Sequence, residues 1–138
     1  MIATLKKILF HQGGLKHLRT PQDETAEFLL RYRKLDVGHL SLHDGEWHFE
    51  YDDAFREKEG ACPIMDFPNL DKHYKSDVLW PFFVVRIPGL GQPAIQRVIR
   101  EENLDGRNEV QLLKRFGKTT IANPFILIPK DSSAGPED

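Results

Sequence analysis

Hydrophobic residues change their spacing several times along the chain, and each change marks a new element. In Met1 to Phe10, Ile2, Leu5, Ile8 and Leu9 recur at helical spacing with Lys6 and Lys7 opposite, a short amphipathic segment ended by Gly13-Gly14. His11 to Glu24 is polar, contains Pro21 and reads as a connector. From Phe28 the period drops to two: Phe28, Leu30 and Tyr32 alternate with Leu29, Arg31 and Arg33, as in a half-buried strand. Asp44-Gly45 suits a two-residue type I′ turn. That turn pairs Leu42 with Trp47, Leu40 with Phe49 and Gly38 with Tyr51 on one face. His43 with Glu46, Ser41 with His48 and His39 with Glu50 fall on the other. A three-residue loop, Arg33 to Leu35, would keep Phe28, Leu30 and Tyr32 on the apolar side.

Asp52 to Cys62 is charged and loop-like, with a helical turn near Phe55, and Pro63-Ile64-Met65 fits a short extended piece on the sheet edge. Tyr74 to Pro88 is the densest aromatic run and reads as a short buried helix. Pro81 requires it to begin near Val78 or Leu79, Ser76 is placed to cap it, and Pro88 closes it. A helix of about two turns is unstable alone, so neighbours must cover its aromatic face. Pro93 opens a second helix with Ile95, Val98 and Ile99 on one face, ended by Asp105-Gly106. Asn108 caps a third, where Val110, Leu112, Leu113 and Phe116 point inward before Gly117. Phe125 to Ile128, between prolines, reads as a buried strand, and the chain from Lys130 as a disordered tail. Strands, then helices, then a returning strand give an α+β fold. The expectation is a single domain over residues 25–129, a small antiparallel meander sheet packed against two or three short helices, with residues 1–24 as amphipathic segment and connector and 130–138 as tail.

Composition narrows the function classes. A chain of 138 residues, 40% hydrophobic and 29% charged, is of single-domain size. A formal charge of -2 gives no general attraction to nucleic acid or anionic membrane. The one cysteine, Cys62, excludes an intramolecular disulfide and a cysteine zinc site, and with no secretory signal in the sequence the expectation is a cytoplasmic protein. The longest apolar run, Val78 to Val85, is well short of the roughly 20 residues of a membrane span.

Candidate chemistry is sparse. His39 and His48 lie diagonally on the polar face of the hairpin beside Glu46 and Glu50, a set able to ligate zinc. Cross-strand charge pairing explains the same residues without metal, and no metal or cofactor is expected. Gly89-Leu90-Gly91 falls between two helices rather than between strand and helix, so it is a turn rather than a phosphate loop. The glycine-rich loop, catalytic-loop aspartate with its asparagine, and Asp-Phe-Gly of a kinase are missing, so the chain is not expected to be an enzyme. Arg97, Arg100, Lys114, Arg115 and Lys118 form a loose basic patch that could touch phosphates, although interleaved acids favour reading it as a solvated face.

Val37-Gly38-His39-Leu40, Gly45 to Asp52, Pro63-Ile64, Tyr74-Lys75-Ser76, Leu79 to Phe83 and Arg86-Ile87-Pro88 resemble, in order and spacing, the N-terminal subdomain of HipA-type toxin kinases, and in size the standalone HipS-like antitoxin form of it. The resemblance covers Phe28 to Pro88 and extends loosely through the helices to Phe116. It implies a non-catalytic module that packs on a kinase core, whose ATP site and catalytic aspartates lie in later subdomains. The function expected on this basis is a regulatory, antitoxin-like protein that binds and restrains a HipA-like serine/threonine kinase. A helix-turn-helix protein is an implied further partner, with nucleic acid contacted at most indirectly. The alternatives are a nucleic-acid-associated component of a toxin-antitoxin operator complex and a HipA-like domain with an unrelated binding role. Tyr74, Trp80, Phe83 and Arg86 are the expected partner contacts, because aromatic and arginine side chains dominate interface energetics.

Overall fold

The structure, a computed structural model, describes residues 18–130. Its first three strands, β1 (Ala26–Tyr32), β2 (Leu35–His43) and β3 (Glu46–Tyr51), form a meander. A one-turn helix α1 (Asp53–Arg56) follows, then strand β4 (Tyr74–Ser76), helices α2 (Pro81–Val84), α3 (Pro93–Glu101) and α4 (Glu109–Phe116), and strand β5 (Ile126–Lys130). All neighbouring strands are antiparallel, in the order β4-β3-β2-β1-β5. This is the α+β architecture that the change of period implies. The expected amphipathic segment, Met1 to Phe10, and the tail beyond Lys130 lie outside the described residues. Lys130 itself ends β5 rather than beginning a tail.

The β2–β3 hairpin has the register read from its alternation, from Gly38 opposite Tyr51 to His43 opposite Glu46. Asp44 and Gly45 both take positive φ, 53° and 72°, as a type I′ turn demands. The β1–β2 turn differs from expectation. Tyr32 pairs with Leu35, so the loop has two residues, Arg33 and Lys34, and Arg33 takes the left-handed φ of 58° without a glycine. Nearer the sheet centre, Phe28 opposite Leu40 and Leu30 opposite Gly38 keep the register that a three-residue loop would give. The difference is absorbed between Leu30 and Arg31, where Val37 is the extra residue of β2. The bulge places Val37 in the core, and its carbonyl accepts the Asp52 amide at 2.8 Å.

The buried face of the sheet carries Phe28, Leu30, Leu40, Leu42, Trp47, Phe49 and Leu127, each no more than 1% exposed. Phe83 and Val84 of α2 and Val110, Leu112 and Leu113 of α4 cover it, while α3 rests on the outside through half-buried Ile95 and Ile99. Asn108 caps α4 as expected, its side chain accepting from the Gln111 amide at 3.0 Å. The stop at Gly117 has a steric cause. Its φ is -87°, open to any residue, but a Cβ there would lie 2.4 Å from the Leu113 carbonyl oxygen.

Candidate interaction surface

Pro63-Ile64-Met65 is not a strand. The sheet edge beside β3 is β4, three residues that the sequence pattern places in the approach to a helix, with Ser76 as its cap. Tyr74 sits opposite Phe49 and so shares the apolar face. Ser76 does not cap a helix: its hydroxyl accepts from the Val78 amide at 3.0 Å and donates to the Val78 carbonyl at 2.7 Å, closing a turn. Helix α2 then starts at Pro81 rather than at Val78 or Leu79 and is a single turn. Proline suits that first position because its missing N–H would have no helical partner. Trp80, the N-cap, offers no side-chain acceptor, and Asp66 Oδ2 accepts the Phe82 amide at 3.3 Å instead.

The loop before β4 is fixed by two tyrosine hydroxyls. Tyr51 donates to the Phe67 carbonyl at 2.6 Å and accepts from the Ile64 amide at 2.8 Å, and burial pushes its phenol up to about 12. Tyr74 accepts from the Asn69 amide at 2.7 Å and donates to the Asn69 carbonyl at 3.3 Å. Between these fixed points Phe67 turns inward and is fully buried.

Phe67 is the centre of an aromatic band. Its ring stacks on Phe49 at 4.3 Å and meets Tyr74 and Trp80 edge-on, each at 5.1 Å between centroids. It reaches Phe82 at 6.3 Å, Phe82 meets Phe125 at 5.8 Å, and Phe125 meets Tyr32 at 5.7 Å. The band therefore runs from β4 at one edge of the sheet to the residue before β5 at the other. Tyr74, Trp80, Phe82, Phe125 and Tyr32 are only half-buried. Met65, 91% exposed, precedes Phe67 by two residues in its loop, and Val85, 43% exposed, directly follows α2.

Of the four expected contact residues, Tyr74 and Trp80 reach the surface and the other two turn inward. Phe83 is fully buried against Phe49, Phe67 and Phe82. Arg86 is 3% exposed. Its Nη1 donates to the carbonyls of Gly117 and Lys118 at 3.0 and 3.1 Å, and its Nη2 to Asn123 Oδ1 and the Phe125 carbonyl at 3.0 and 2.9 Å. Burial pushes the guanidinium down to about 10, so it keeps its charge at neutral pH. Its task is to join α2 to the loop that leads into β5.

Sequence reasoning passed over Phe67, Phe82, Phe125 and Tyr32 as site residues. The signal for Phe67 was available, since a phenylalanine between Asp66 and Pro68 in a polar loop has to find cover somewhere.

Of the basic residues, Arg97 and Arg100 on α3, Lys114 on α4 and Lys118 beyond it are exposed, and Arg115 is engaged by Glu102 through two contacts of 2.7 and 3.0 Å. His39 and His48 do not converge. His39 Nε2 meets Asp52 Oδ1 at 2.8 Å, whereas His48 Nδ1 meets His73 Nε2 at 2.9 Å. Among the described residues no helix is long and apolar enough to cross a membrane.

A family model described as HipA N-terminal domain matches residues 29–122, from β1 through α4, including the loop of Phe67 and all of α2. No curated protein matches the chain. Since the match spans well over half of the sequence and contains most of the aromatic band, the chain belongs to the HipA N-terminal domain family.

Proposed function

We propose that the chain is a non-catalytic module that binds a HipA-type serine/threonine kinase and restrains it, with the half-buried aromatic band as the contact. The HipA N-terminal domain is not the part of HipA that carries the kinase chemistry, which supports a binding role. The observation that carries the reading is the row of half-buried rings reaching both sheet edges, with Met65 exposed in the loop that carries Phe67 and Val85 exposed directly after α2. A large exposed apolar side chain next to partly covered rings is the composition of an interface centre. Phe67 and Phe83 act beneath this surface by holding the outer rings in place, and Arg86 by holding Phe125.

Co-purification of the chain with a HipA-type kinase core, and the kinase activity of the mixture, test the reading. Binding and lowered activity are expected with the native chain. Both should be lost with Met65→Glu and Val85→Glu together, two exposed changes that leave the fold intact. A double variant that still binds would remove this surface from the proposal, and a native chain with no affinity for the kinase would remove the function.

A further inference from the structure

The chain entering β1 runs beside the turn that leads into α4, and backbone hydrogen bonds hold the two together. The Arg19 amide donates to the Arg107 carbonyl at 2.7 Å, and the Arg19 carbonyl accepts from the Glu109 amide at 3.2 Å. Two arginines are thereby fixed as neighbours on separate segments. Both are exposed and, with Pro21, Asp105 and Asn108, they line a cavity of about 480 Å³. Small-molecule pockets run from roughly 300 to 1,000 Å³.

The charges lining this cavity are not balanced. Arg31, Arg56 and Arg115 face the carboxylates of Asp36, Asp53 and Glu102. Neither Arg19 nor Arg107 has such a pair among the described residues. The acids around them are turned to other donors. Glu24 accepts from Asn108 Nδ2 at 2.9 Å, Glu109 from the Thr20 hydroxyl, and Asp105 Oδ1 from the Arg107 amide at 2.9 Å. The end of α4 adds no anchor of its own, since the Glu109 amide is taken by the Arg19 carbonyl and the Gln111 amide by the Asn108 side chain.

Two neighbouring guanidinium groups repel one another until an anion joins them, and each presents a planar fork of donors that matches phosphate oxygens. The cavity is far larger than one phosphate group, so it has room for an organic body as well. Asp105, with one carboxylate oxygen still unengaged, repels a second anionic group there and accepts from a hydroxyl. We propose that the cavity binds a small hydroxylated phosphate ester, of the sugar-phosphate class, with its phosphate between Arg19 and Arg107 and a hydroxyl on Asp105. The site shares no residue with the aromatic band, so it stands or falls separately from kinase binding.

Amide NMR of the intact chain, titrated with ribose-5-phosphate, inorganic phosphate and ribose at constant ionic strength, tests this. Ribose-5-phosphate should give saturable shifts at Arg19, Arg107 and Asn108, inorganic phosphate the same shifts with several-fold weaker affinity, and ribose none at equal concentration. Arg19→Gln and Arg107→Gln, exposed changes that keep the backbone hydrogen bonds, should each weaken the ester by about tenfold, the loss of a charge-assisted hydrogen bond, with unchanged unfolding midpoints. Arg97→Gln on α3 should change nothing. Asp105→Asn keeps an acceptor for the Arg107 amide and should tighten inorganic phosphate while narrowing the margin of the ester over it. Shifts that never saturate, that persist in either arginine variant, or that weaken as much in Arg97→Gln would overturn the site. Equal affinities for ester and inorganic phosphate would overturn the ester as its ligand.

Discussion

A Cβ placed on Gly38 would lie 2.6 Å from Cζ of Phe49, the ring diagonal to it across the β2–β3 hairpin. The same atom would come within 2.9 Å of the Glu50 carbonyl oxygen, so the backbone as well as the ring blocks it. Phe49 is fully buried and stacked on Phe67. Gly38→Ala should therefore destabilise the fold by about 1–3 kcal/mol, the range for an overpacked core. Urea unfolding of the two proteins measures it, and an unchanged midpoint would show that Phe49 has room to move.

Arg86 satisfies four acceptors, three of them backbone carbonyls. Arg86→Met keeps much of the aliphatic stem and strands those acceptors, with an expected loss of about 2–4 kcal/mol. Arg86→Lys should recover only part of it, because one ammonium cannot reproduce the two-armed geometry. Thermal unfolding of the three proteins tests the order.

Glu109 makes stability depend on pH. Thr20 Oγ1 donates to its carboxylate and accepts from Trp47 Nε1 at 3.2 Å, yet burial outweighs that hydrogen bond and pushes Glu109 above the ordinary glutamate value. Between the unfolded and native pKa values the folded chain holds a proton that the unfolded chain has released. Stability from this group is therefore full below the unfolded value and falls as pH rises through the native one. Glu109→Gln, which keeps an acceptor for Thr20, should be more stable than the native chain at pH 7 and equal to it below about pH 4. Unfolding midpoints at the two pH values decide this.

Phe67 and Trp80 touch one another but should fail differently. Phe67 is enclosed and in contact with Phe49, Tyr74, Trp80, Phe82 and Phe83, so Phe67→Ala should cost about 3–5 kcal/mol. Trp80 is half-buried, and Trp80→Ala should cost clearly less while weakening the proposed kinase binding more than its stability loss explains. Equal stability losses would mean that Trp80 is simply core.

The parts legible in the chain were those where one rule acts locally. Asp44-Gly45 with alternating residues on both sides fixes a register, and Asn108 and Gly117 mark the ends of α4. The β1–β2 connection was misread because a bulge at Val37 does what loop length was expected to do. Strand β4 was hidden in an aromatic run, and three residues are too few for alternation to register. At the site, residue type identified Tyr74 and Trp80 as surface rings. It also selected Phe83 and Arg86, since a guanidinium held by backbone carbonyls from residues 117, 118 and 125 leaves no pattern in one dimension.

The position of β5 bears on how the chain folds. It pairs with β1, Leu29 lying opposite Ile128, so the first and last strands of the sheet are neighbours although nearly the whole domain separates them. During synthesis β1 can join β2 and β3 early, but its outer edge has no partner until the final strand leaves the ribosome. Until then the backbone groups of β1 are open to strands of other chains. Closing so long a loop adds little to the equilibrium cost and slows the last step. Chains shortened before Ile126 should accordingly aggregate rather than merely lose stability.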